Sequence, residues 1–77
     1  MAPKFFTQGN QAINLDHVIA IEVMDKQVRL YVTHEAVAAL RYTGFNVVIS
    51  GDRCPYVAFS FLSNEDAALR VREVLDS

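Results

Sequence analysis

Val18-Ile19-Ala20-Ile21-Glu22-Val23-Met24-Asp25-Lys26-Gln27-Val28-Arg29-Leu30-Tyr31-Val32-Thr33 is the stretch that decides how this chain folds. In its first half the strongly apolar residues are Ile19, Ile21 and Val23, and in its second half Val28, Leu30 and Val32. Apolar residues at every second position give a strand one buried face. Folding at Asp25-Lys26 sets Val23 opposite Val28, Ile21 opposite Leu30 and Ile19 opposite Val32, all on the inner side. The outer side then carries Glu22 opposite Arg29, an attractive cross-strand pair, and Ala20 opposite Tyr31. A slip by one residue would set apolar side chains against polar positions throughout, so one register is specified.

A second hairpin is expected before it. Gly9-Asn10 suits a tight turn that requires positive φ, and pairs Phe6 with Ile13. Asn14-Leu15-Asp16 then turns the chain into the central hairpin, with polar side chains able to bond nearby backbone N–H groups. Downstream, Phe45–Ser50 and Tyr56–Leu62 alternate in the same way, around a Gly51-Asp52-Arg53-Cys54-Pro55 loop. Between these pairs, Glu35–Arg41 is rich in helix formers. Thr33 can cap it and Gly44 can end it in a left-handed conformation. The C-terminal Ser63-Asn64-Glu65-Asp66 supplies a cap and two first-turn acids, followed by a stripe of Ala67, Val71, Val74 and Leu75. Asp66 and Arg70 are spaced for an ion pair along that helix.

The 77 residues allow one domain, residues 1–77, and a single core. A chain of this size buries roughly 60% of its unfolded surface, a small margin for stability. No disulfide adds to it, because Cys54 has no partner cysteine, and two histidines with one cysteine do not complete a zinc set. Apolar residues supply 52% of the chain, above the ~45–50% usual for a globular domain. That excess points to exposed apolar surface and to self-association as its cover. No apolar run is long enough for a signal peptide or a membrane span, and the thiol stands alone, so a cytoplasmic protein with no membrane association is expected. The net charge of −2, with basic residues dispersed among nine acids, argues against a nucleic-acid partner.

Motifs for chemistry are sparse. Cys54 follows Arg53 in a loop, a setting that can activate a thiol, yet a nucleophile also needs a base that His17 or His34 would have to supply through folding. The Cys54-Pro55 dipeptide resembles the short motif of haem-responsive proteins and is too brief to assign a cofactor; none is expected. Continued past its strands, the central register sets His17 opposite His34 and Asp16 opposite Glu35. That makes His17 and His34 candidates for metal- or pH-responsive binding, although zinc sites normally use three or more protein ligands. Neither nucleotide-binding glycine signature nor a Ser-His-Asp arrangement is present, so no enzymatic activity is expected.

Residues Ala12–Glu22, followed by a strand, are similar to one segment of a family of small flagellar accessory proteins. The similarity covers under a third of the chain and brings no functional residue with it.

These readings converge on an α+β fold. A mainly antiparallel sheet of five or six short strands is expected, with a C-terminal helix near 64–76 packed on one face and a short helix near 35–42. One terminal helix cannot cover both faces, so either the Glu35–Arg41 helix or a partner is expected on the second. Ala20, Tyr31, Val48, Tyr56, Ala58 and Leu62 fall on the face opposite the helix-covered positions and are the candidate interface. The expected function is a small non-enzymatic interaction or assembly module, a homodimer or the partner of another protein, joined through an apolar sheet face or edge.

Overall fold

The computed structural model describes residues 4–49 and 51–76. Two antiparallel sheets and two helices enclose one core, so the α+β expectation holds. The strands are β1 (Phe5–Gln8), β2 (Gln11–Asn14), β3 (Val18–Met24), β4 (Gln27–Val32), β5 (Val47–Val48) and β6 (Tyr56–Ser60), and the helices α1 (His34–Tyr42) and α2 (Asn64–Asp76). The main sheet is smaller than expected. It has four strands in the order β3-β4-β6-β5, while β1 and β2 form a separate two-stranded sheet.

The small sheet is the first hairpin, with Phe6 opposite Ile13 and Gly9 at φ +60 in its turn. It separates from the main sheet because a single 3-10 turn, Leu15–His17, lies between β2 and β3 and redirects the chain. Asn14 caps that turn, its Oδ1 accepting from the Asp16 N–H at 2.9 Å. Having no sheet neighbour beyond each other, β1 and β2 are held by side chains. Phe6 and Ile13 are fully buried in the common core, and the Phe6 ring stacks on Phe59 at 5.3 Å.

The central hairpin follows its expected register over Ala20–Tyr31, Ile21–Leu30, Glu22–Arg29 and Val23–Val28. It turns through Asp25 and Lys26 at φ 52 and 62, left-handed values that match the twist of the flanking strands. At the other end one expectation fails. A bulge at Ile19 shifts the pairing so that Val18, not Ile19, faces Val32. An extra residue in one strand turns the following side chains over, and Ile19 is 57% exposed instead of buried.

On β4, Val28, Leu30 and Val32 are fully buried, and β6 continues the same face with Val57 and Phe59. The third expected pair is shorter than its alternation suggested: β5 has two residues, Phe45 lies buried before it, and Ile49 is exposed after it.

Both helices form where expected. The Thr33 side chain caps α1 by accepting from the Ala36 N–H at 3.3 Å, and Gly44 follows its end at φ +97. Ala36 and Leu40 of α1 join the core made by the inner sheet face. Ser63 caps α2 by accepting from the Asp66 N–H at 3.1 Å, and Ala67 and Val74 are buried. The stripe on α2 ends earlier than expected, since Leu75 is exposed. The expected Asp66–Arg70 pair is replaced by Arg70–Glu73 at 3.4 Å. Arg70 is drawn toward the small sheet, where Nη2 donates to the Thr7 carbonyl at 2.6 Å and its hydroxyl at 2.8 Å, and the guanidinium lies over Phe6.

Candidate functional site

The buried residues of the small sheet, α1 and α2 belong to one cluster with Val28, Leu30, Val32, Val47, Val57 and Phe59 of the main sheet. The outer side therefore keeps only what its own strands provide. Strand register sets Ala20, Tyr31, Tyr56 and Val48 in one row across all four strands, with Glu22, Arg29 and Ala58 as the next row. Five of the six interface candidates are thus neighbours on one face. Ala20 and Ala58 are exposed, and Tyr31, Tyr56 and Val48 are half-buried by each other.

The aromatic centre of this face has a definite arrangement. The Tyr31 and Tyr56 rings lie 5.5 Å apart, tilted by 53°. The Arg29 guanidinium sits 5.0 Å from the centre of the Tyr56 ring, a cation–π distance. The Tyr31 hydroxyl donates to Glu22 Oε1 at 3.0 Å. Glu22 and Arg29 are register partners, yet among the described residues they form no ion pair. Each has a tyrosine instead. Stacking on Tyr56 covers Arg29 Nε, which is buried without a hydrogen-bond partner. A buried N–H donor left without an acceptor carries a desolvation cost. The sequence reasoning missed the Arg29 stack. Its signal was Ala58, too small to fill the space opposite Arg29 and adjacent to Tyr56 in the pairing.

Leu62 is elsewhere. β6 ends at Ser60, and Leu62, 89% exposed, lines a groove of about 530 Å³ with Leu69, Arg70 and Gln8 among its other walls. The loop after β5 brings Asp52, Arg53 and Cys54 to a shallow depression of about 450 Å³ beside Ile19, Ala20 and Tyr31. Cys54 is exposed, and neither histidine lines that depression. A third hollow, of about 350 Å³, runs along β3 and is lined by Leu15, Val18, Ile19, Ala20, Ile21 and Leu75.

The bulge at Ile19 also decides the fate of the histidines. With the register displaced, the His17 carbonyl accepts from the Thr33 N–H at 3.2 Å, and His34 opens α1 instead of continuing the ladder. His17 and His34 are both exposed, and the ladder that would have set them opposite each other ends before them. Among the described residues no three His, Cys, Asp or Glu side chains gather as a metal site. In the same residues no helix is long and apolar enough to cross a membrane. Comparison with protein-family models, curated proteins and solved structures finds no match to this chain.

Proposed function

We propose that this chain is a non-enzymatic assembly module that associates with a second copy of itself through the main sheet. One observation carries the reading: the sheet is covered on its inner face only, leaving the Ala20–Tyr31–Tyr56–Val48 row bare and β3 as an open edge. An edge strand presents unpaired backbone donors and acceptors, and proteins that stay monomeric usually guard such an edge with several charges or a proline. β3 has seven residues and a single charge, Glu22, and its bulge at Ile19 leaves Ala20–Met24 as a regular open edge. The apolar excess of the chain supports the same reading.

The test is the solution mass by light scattering across a concentration series. A mass twice that of the chain, falling toward the single-chain value on dilution, is the expected result. A single-chain mass persisting to high micromolar concentration would overturn the proposal.

A further inference from the structure

Resting on that self-association, we infer that the contact is β3 against β3 of a second copy, antiparallel and centred on Ile21, which joins two four-stranded sheets into one. The direction of the backbone groups comes from the hydrogen bonds around β4. Thr33 N–H reaches His17 on the β3 side, whereas Val32 N–H reaches Pro55 on the β6 side at 2.9 Å. By that alternation Gln27, Arg29 and Tyr31 exchange bonds with Met24, Glu22 and Ala20, their register partners. The amides and carbonyls of Ile21 and Val23 are left facing away from β4, along the open edge.

A two-fold contact must pair outward-facing residues with outward-facing residues. Centring on Ile21 satisfies this, with Ile21 opposite its own copy and Ala20, whose backbone groups face β4, opposite Glu22, whose groups do the same. It also centres the pairing on the middle residue of β3, so the overlap is as long as the strand allows. The bulge at Ile19 bends the strand there, which limits the regular seam to the residues after it.

Charge selects the same register. Glu22, the one charge on β3, falls opposite Ala20 of the second copy and not opposite another Glu22. Unlike charges across a strand pair stabilise it and like charges oppose it. The hollow beside this edge, lined by Ile19, Ile21 and Leu75 among others, gives the second copy an apolar wall to close against. Recognition by strand addition has this form: backbone bonds hold the edge, and flanking apolar side chains set the specificity.

The deciding experiment uses disulfide trapping in a background with Cys54→Ser. Ala20 and Glu22 would face each other across the seam as a non-hydrogen-bonded pair, with Cα atoms about 4.5 Å apart, inside the range a disulfide spans. Ala20→Cys and Glu22→Cys proteins are therefore expected to link to each other when mixed with oxidised glutathione as the electron acceptor, several-fold faster than either links to itself. A chain of doubled mass that gives no preferential mixed product would overturn the edge contact and leave self-association standing. A single-chain mass would overturn both. Amide exchange of the unsubstituted protein gives an independent readout if a cysteine variant folds poorly. Exchange at Ile21 and Val23 should slow several-fold as concentration rises into the dimer range, and exchange indifferent to concentration there would overturn the contact.

Discussion

Leu30 and Tyr31 are consecutive residues of β4, and they face two different environments. Leu30 is fully buried beneath the helices and the small sheet, whereas Tyr31 lies half-exposed beside Tyr56 and Glu22. The strand pleat alone separates them, since successive side chains point to opposite faces. The comparison shows how a chain this short divides its work. Every covering element is used on one face, because a small core reaches adequate burial only when all elements share it. The other face is left to a few mutually supporting side chains.

The sharpest way to break that contrast is at Phe6. This ring is fully buried, stacks on Phe59 and lies under the Arg70 guanidinium, so it joins the small sheet to the inner face of the large one. Phe6→Ala is expected to cost about 3–5 kcal/mol, as truncation of a buried phenylalanine usually does. Against a total of roughly 4–11 kcal/mol for a domain of this length, that is a large fraction. Urea denaturation will measure it. A loss below about 1 kcal/mol would mean that the β1–β2 hairpin does not belong to the cooperative core.

Arg70 tests the same junction from its rim. Its two bonds to Thr7 are short, but the side chain is only partly buried. Arg70→Ala should therefore cost about 1–2 kcal/mol, the range for charge-assisted bonds reduced by solvent access. Arg70→Lys should recover only part of this, because an ammonium cannot reproduce the planar fork that reaches both Thr7 oxygens. Thermal unfolding of the two variants side by side gives the answer, and equal midpoints would show that charge alone matters at this contact.

What the sequence made legible follows from the range over which each signal acts. The central hairpin, the capped helices and the Phe6–Ile13 pairing are local patterns, and their alternation, caps and turn residues could be read in place. The outer row could be read too, because strand parity assigns a face before any tertiary contact is known. Ile19 could not. Its alternation matches Ile21 and Val23, and the bulge that exposes it lies two residues beyond the Leu15–His17 turn, outside what alternation can show. The pairing of His17 with His34 was extrapolated through that position and failed with it. Arg70 is a similar case: Asp66 lies at the favourable helical spacing, but Thr7, distant in sequence, offers two oxygens that the spacing does not reveal.

On the outer face, Tyr31→Phe removes the hydroxyl that donates to Glu22 and keeps the ring beside Tyr56. Because that bond is exposed to solvent, the loss should be only about 0.5 kcal/mol. A loss several-fold larger, measured at concentrations where the chain is single, would show that the outer face also contributes to the fold and would weaken the division between the two faces.

The smallest expected effect concerns the turn that sets which residue lies on which face. Lys26 adopts φ 62, a left-handed value that costs a residue with a Cβ about 1 kcal/mol or more. Its tertiary bonds are made by the backbone: the Lys26 N–H donates to Asn64 Oδ1 at 2.6 Å, and its carbonyl accepts from the Phe61 N–H at 2.7 Å. Glycine keeps both bonds and relieves the strain, but it adds about 0.4–1 kcal/mol of unfolded-chain entropy. Lys26→Gly should therefore stabilise by a few tenths of a kcal/mol, raising the midpoint by roughly 1–3 °C. Lys26→Val, β-branched at the same φ, should move it the other way. If the two shifts have the same sign, strain at this turn is not what holds Leu30 inward and Tyr31 outward. The register would then rest on the inner-face packing of Ile21, Leu30 and Val57, whose burial a one-residue slip would undo.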